Sequence, residues 1–284
     1  VTDVLLATFS LLPDGEPGGD LLLSALAERG VTARWAVWDD RAVDWAAVDL
    51  VAVRATWDYH RRCPEFLAWA RATAASTRVL NGPEVFAWNA DKAYLNALAD
   101  HVPVVPTRLL DDATLATGLK AETARWGTVV VKPRTGAGGI GVVLATSSSD
   151  QRLEGLVAGP WIVQPLVESV RTVGEASVFV FDQAAATQVA KVAAAEEIRV
   201  HESYGGTSRV VPLGSEQRDL AERTVRAAAG ILGMELPYAR VDLMHWDGAW
   251  AVSELELIEP GLYLELEPAN AERFAQMVGK SLGR

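Results

Sequence analysis

The chain has 284 residues, half of them hydrophobic, with a formal net charge of −11 and a single cysteine, Cys63. That length supports a real core in one to three lobes, and one thiol excludes an internal disulfide framework and points to a reducing, cytoplasmic setting. The acidic balance, without any basic run, argues against nucleic acid or a membrane surface as partner, and no apolar stretch approaches the ~20 residues that span a bilayer, so a small molecule is the expected ligand.

In chain order, Val4 to Ala7 reads as a buried strand, followed by a turn-rich loop with Pro13, Gly15, Pro17 and Gly18 and a helix from Asp20 to Arg29 that Gly30 ends. Ala33 to Val37 and Leu50 to Val53 read as the next two strands. Strands alternating with helices predict a parallel α/β lobe, whose ligands gather at the carboxyl ends of the strands. This places Arg54, Thr56, Trp57, Asp58 and Tyr59 at a substrate pocket, with Arg54 suited to clamp a carboxylate, Asp58 to take an ammonium and the aromatic rings to close around both. A solvated loop with one buried tryptophan accounts for the same residues. Pro64 to Ala75 predicts a helix, and Asn89 to Asp100 another that carries Asp91 and Lys92 near its start. His101 to Thr107, extended and holding two prolines, marks a linker.

Leu109 to Arg125 reads as mostly helical and leads into the most informative stretch. Val129-Val130-Val131-Lys132 is an apolar strand ending in a lysine, Pro133 to Gly141 a loop with four glycines, and Val142-Val143-Leu144 a second apolar run. Gly136, Gly138 and Gly141 have G-x-G-x-x-G spacing, but a Rossmann turn must open a helix, and β-branched residues follow here. A P-loop places its lysine after the glycines, and no H-R-D or D-F-G follows to support a kinase. The pattern therefore predicts a hairpin lid with a lysine at its base, suited to covering phosphates, although a plain glycine-rich hairpin satisfies the same residues. Lysine is scarce, with five in the chain, so Lys132 at this position is poorly explained as filler.

Trp161 to Glu168 reads as a strand whose Pro165 forbids one ladder hydrogen bond, which suggests a hinge or an edge. Unpaired backbone there can meet an adenine edge and Glu168 a ribose, or the segment is a simple edge strand. Glu175 to Phe181 and Ala185 to Ala193 form an apolar hairpin, and Arg199 to Thr207 joins a cation to a small-residue loop at Gly205 and Gly206. Ser215 to Leu232 has helical periodicity. Tyr238 to Met244 and Trp250 to Glu256 flank an Asp247-Gly248 turn, so alternation puts Glu254 and Glu256 on one face with Asp242 across from them. Three such carboxylates repel unless cations lie between them, and Mg²⁺ bound with phosphate oxygens is one answer.

Taken together, Lys92, Lys132 with its glycine loop, Gln164 to Glu168, Arg199, Arg240-Val241-Asp242 and Glu254-x-Glu256 resemble, in order and spacing, an ATP-grasp ligase. Arg54-x-Thr-Trp-Asp-Tyr59 and Glu254-Leu-Glu-Leu-Ile-Glu-Pro-Gly261 look most like the branch that contains the O-ureidoserine cyclo-ligase of D-cycloserine biosynthesis. The resemblance implies an α/β ATP-grasp fold in three parts: an N-terminal parallel α/β lobe on the substrate side (1–101), a central lid lobe with the glycine hairpin (102–170) and a C-terminal lobe with the metal carboxylates (171–284). It further implies ATP and Mg²⁺ as cofactors. Lys92, Lys132 and Lys191 would contact the nucleotide, with Gly136, Gly138 and Gly139 covering its phosphates and Gln164, Pro165, Leu166, Val167 and Glu168 holding adenine and ribose. Arg199 and Arg240 would act on the transferred phosphate, Asp242, Glu254 and Glu256 would bind magnesium, and Gly205 and Gly206 would face substrate. Glu256 stands where many members carry asparagine. The reaction implied is formation of an acyl phosphate and its displacement by nitrogen, within one molecule for the cyclo-ligase branch and between two for peptide-forming relatives. A non-catalytic ATP-binding regulator is a further alternative, and the resemblance also allows a homodimer.

Overall fold

The computed structural model describes residues 3–195 and 197–284. Three sheets organise the chain. In the first, β1 (Val4–Thr8), β2 (Ala33–Val37), β3 (Leu50–Ala55) and β4 (Arg78–Val79) run parallel in the order β2-β1-β3-β4. β1 and β3 are buried throughout and, Thr8 and Arg54 aside, apolar, because both faces are covered, as a parallel sheet requires. Val4, Leu6, Leu50 and Ala52 pack on the side of α1 (Gly19–Glu28), whereas Leu5, Ala7, Val51 and Val53 pack on the side of α2 (Cys63–Ala74) with Phe66 and Trp38.

Next come α3 (Pro83–Asn89) and α4 (Tyr94–Ala99). The single helix expected over Asn89 to Asp100 is instead broken at residues 90–93, and the break serves the site: Lys92 N–H donates to Arg134 O at 2.9 Å, and Arg134 pairs with Asp91. The second sheet is antiparallel, ordered β5-β8-β6-β7, from β5 (Arg108–Leu110), β6 (Val129–Pro133), β7 (Val143–Ala145) and β8 (Trp161–Pro165), with α5 (Leu115–Trp126) on one face. Leu109 is therefore in a strand and not a helix. β8 is likewise central, not an edge, along Trp161–Val163, and Pro165 is tolerated because β5 does not extend that far.

The third sheet runs β11-β10-β9-β12-β13, from β9 (Glu175–Phe181), β10 (Ala184–Val192), β11 (Thr207–Val211), β12 (Tyr238–Trp246) and β13 (Ala249–Glu256). α6 (Ser215–Leu232) and α4 cover one face through Leu220, Val225, Leu95 and Leu98. The last helix, α7 (Ala269–Ser281), returns to the first lobe, where Phe274, Ala275 and Val278 meet Leu22 and Leu26. The segment expected to be a linker is also structural: Val105 N–H donates to Val252 O and Val252 N–H to Pro103 O, each at 2.9 Å, so it covers part of the open edge of β13. Asn89 continues that cover, donating to Leu255 O and accepting from Leu257 N–H, each at 2.8 Å.

Candidate active site

The sheets meet around a cavity of about 990 Å³. Its floor comes from β12 and β13, whose register sets Asp242 opposite Glu254 and Arg240 opposite Glu256. Alternation sends Val241, Leu243 and Leu255 into the core and turns the four charged side chains to the cavity. Arg240 donates from Nε and Nη2 to the two Asp242 oxygens at 2.9 and 2.8 Å, and from Nη2 to Glu256 as well. Lys191 lies 3.0 Å from Glu175 and 3.7 Å from Asp242. Lys92 lies 3.0 Å from Glu254 and donates to Gly136 O at 2.8 Å. Protein cations thus separate the acids. This corrects the expected trio: among the described residues no three metal-ligating side chains converge closely enough to hold a metal ion.

Burial alone would raise all three carboxyls. For Asp242, Arg240 and Lys191 outweigh it and hold the group well below the usual carboxylate range. For Glu254, Lys92 and Lys132 also outweigh it and lower the carboxyl. Burial prevails at Glu256, which is pushed up to about 7. The donor chemistry still suits magnesium, which takes one or two carboxylates and completes its shell with phosphate oxygens. Glu254 and Glu256 keep side chains 30% and 26% exposed to the cavity, whereas Asp242, at 3%, has both oxygens occupied by Arg240.

The roof is the hairpin between β6 and β7. Gly138, Gly139 and Gly141 have positive φ, and a Cβ on Gly139 would stand 3.2 Å from Arg199 Cδ and 3.3 Å from the Tyr204 ring. The glycine loop and the 199–206 loop therefore touch over the cavity. Arg199 stacks 3.5 Å above Tyr204 and pairs with Glu197, and Gly206 is obligatory because a Cβ there would lie 2.0 Å from Val200 O. Lys132 lines the cavity with no carboxylate within 4.0 Å among the described residues, and burial lowers its pKa. Gln164, Pro165, Leu166 and Val167 form an apolar wall with Val105, Val130 and Met244. Glu168 is exposed beside the cavity-lining Val167 and Val170 and lies 3.4 Å from Arg171.

The substrate side departs furthest from expectation. Arg54 is fully buried, donating to Glu16 Oε1 at 3.0 and 2.7 Å and to Pro260 O at 2.7 Å; its Nη1 has no partner among the described residues but is also buried, and Arg54 does not line the cavity where a substrate carboxylate would lie. Asp58 is likewise committed, accepting from Trp38 Nε1 at 3.0 Å and Arg62 at 3.0 Å, so it does not await an ammonium. Thr56 is buried with its hydroxyl unpartnered among the described residues, Tyr59 packs against Phe66, and neither lines the cavity; nor does Gly205. Trp57 and Gly206 do. Sequence reasoning assigned no role to Glu16, Arg61, Glu175 or Glu259, all of which line the cavity. For Glu259 a signal was present in an acid placed directly before Pro-Gly; for Glu16 and Arg61 there was only their place in loops after β1 and β3.

Comparison with known proteins agrees with this geometry. Residues 4–81 match the family model described as the N-terminal domain of D-cycloserine synthetase DcsG. The cycloserine biosynthesis protein DcsG of Streptomyces lavendulae is 33% identical over 276 residues, covering 92% of each chain. A crystal structure of D-cycloserine synthetase DcsG superposes with a TM-score of 0.87 at 30% identity, covering 98% of this chain and 99% of that one. The fold extends to the ATP-grasp ligase PsnB, solved with a minimal precursor, Mg and ADP, at a TM-score of 0.65, 18% identity and full coverage of both chains. A three-sheet α/β chain with a basic glycine lid above an acidic floor, so closely related to DcsG over nearly its whole length, belongs to the DcsG family of ATP-grasp ligases and is an ATP-dependent ligase.

Proposed function

We propose that this ligase is ATP- and Mg²⁺-dependent, activates a substrate carboxylate as an acyl phosphate and closes O-ureidoserine on itself in the cycloserine pathway. The observation that carries the reading is the convergence on one cavity of Lys92, Lys132 and the glycine lid above Arg240, Asp242, Glu254 and Glu256. Lys132, without a carboxylate partner among the described residues, receives the nucleotide phosphates, and Lys92 is poised between the lid backbone and Glu254. Preorganised cations of this kind stabilise charge that develops as phosphate transfers. Arg240, held by two carboxylates, stays fully charged beside that phosphate. Magnesium, held by Glu254 and Glu256, would supply further charge neutralisation at the phosphates.

The touching loops keep water from the acyl phosphate. The oxyamine nitrogen of the ureido group then attacks the acyl carbon, the new C–N bond closes the five-membered ring, and the C–O bond to phosphate breaks. Holding acid and nitrogen in one bound molecule removes the entropic cost of a second encounter. Loss of the carbamoyl group to water from the ring nitrogen completes cycloserine. ADP release measured with O-ureidoserine alone, with mass analysis of the product, tests this. Stoichiometric ring formation without an added amine supports it, and ADP release that requires a separate amine replaces it with an intermolecular ligation.

A further inference from the structure

Apart from the exposed Glu202 and Glu265, the carboxylates that line the cavity can be paired off one by one. Asp242 and Glu256 have Arg240, Glu254 has Lys92, Glu175 has Lys191, and Glu16 has Arg54. Glu259 differs. It lines the same cavity and is only 7% exposed, yet no cation lies within 4.0 Å of it among the described residues, and burial together with the neighbouring Glu256 pushes its carboxyl well above the ordinary range. A buried carboxylate without a counter-ion is costly, and such groups persist where a ligand completes them.

The backbone that presents Glu259 is held with unusual thoroughness. It follows β13 with no strand partner, and each carbonyl from residue 257 to residue 262 accepts from a different side chain. Asn81 Nδ2 reaches Leu257 O at 2.7 Å, Tyr238 OH reaches Ile258 O at 3.2 Å and Trp57 Nε1 reaches Glu259 O at 3.2 Å. Arg54 Nη2 reaches Pro260 O at 2.7 Å, Arg240 Nη1 reaches Gly261 O at 3.4 Å and Asn270 Nδ2 reaches Leu262 O at 2.8 Å. Leu262 N–H donates to Glu16 at 3.0 Å, which closes a loop back to Arg54. Arg54 and Glu16 thereby become supports for this segment. Rigid support around a buried acid that has no counter-ion is how a binding constellation is preorganised.

We propose that Glu259 receives the α-ammonium group of the substrate. The inference rests on the ligase reading above and assigns the residue of this chain that selects for the amine. Trp57, with its indole anchored to the Glu259 carbonyl and its ring on the cavity wall, forms the apolar side of the same subsite. The pairing replaces the one that Asp58 was expected to make.

The test compares Glu259→Gln and Glu259→Asp with the parent enzyme, using O-ureidoserine and its desamino analogue, which carries hydrogen in place of the ammonium. With the parent, the amine-bearing substrate should show a kcat/KM at least ~100-fold higher, the order expected for one desolvated charge pair. Glu259→Gln should lose most of that preference through KM for the amino acid, with KM for ATP and the melting temperature unchanged, and Glu259→Asp should restore part of it. A parent enzyme that treats the two compounds alike, or a Glu259→Gln enzyme that keeps the preference, overturns the inference while leaving the ligase reading intact. A parent that releases no ADP with either compound overturns both.

Discussion

At the scale of single residues, charge in this molecule is either answered by the protein or kept for a ligand. Arg54 is answered: fully buried, it donates from Nε and Nη2 to the one oxygen Oε1 of Glu16 and stacks on Phe274 with its guanidinium carbon 5.0 Å from the ring centre. Removing one partner of such a pair leaves a charge buried without compensation, at a cost of about 3–5 kcal/mol. Arg54→Met should therefore lower the melting temperature by on the order of 10 °C, and the Arg54→Met/Glu16→Gln double variant should recover part of that loss. A substrate clamp would behave differently, with KM rising at constant melting temperature, so calorimetry beside kinetics separates the two. Lys132 is the opposite case, a cation kept free. Burial lowers its pKa from the ordinary 10.5, so the ammonium that binds phosphate is lost as pH rises through a value below the usual lysine range. The kcat/KM for ATP should accordingly fall on the alkaline side, and Lys132→Arg, always protonated, should move that limb to higher pH in a pH–rate profile.

Among elements, the decisive pair is the glycine hairpin and the 199–206 loop. Their contact at Gly139 is possible because the residue has no Cβ and takes φ +73°. Gly139→Ala puts a Cβ into left-handed backbone, which costs roughly 1–2 kcal/mol, and presses it on Arg199. The expected outcome is a lid that closes imperfectly: more ADP released per product formed as water reaches the acyl phosphate, with only a small change in melting temperature. Measuring both products in one reaction gives the ratio, and an unchanged ratio would remove the sealing role assigned to this contact. The hairpin itself was legible beforehand, because a β-branched run on each side of four glycines is a local pattern that leaves the loop between two strands. The same holds for Glu254 and Glu256, whose common face follows from the two-residue period of any strand. The broken helix at residues 90–93 and the linker laid along β13 were not legible, since each answers a hydrogen-bonding need of an element distant in the chain.

For the whole molecule, the two ends of the chain close on each other. α7 lays Phe274, Ala275, Met277 and Val278 against α1 and the first sheet, so the last lobe in sequence completes the core of the first. Deleting residues 269–284 uncovers that apolar face; the truncated chain should lose cooperative melting and bind a hydrophobic dye, whereas retention of a sharp transition would show that the first lobe is complete without α7. Much of the architecture could be read from order and period alone: apolar runs separated by helical stretches impose a parallel sheet and alternating runs impose hairpins, because these properties depend on neighbours a few residues apart. The ATP-grasp reading came instead from the resemblance carried by the order of lysines, glycines and acids along the whole chain. The partners of individual charges could not be read. Arg54 finds Glu16 and, across 206 residues, Pro260, while Glu259 finds no cation among the described residues. Which acid is neutralised and which remains for a substrate depends on side chains that only folding brings within 3 Å of each other, and nothing in linear spacing encodes that distance.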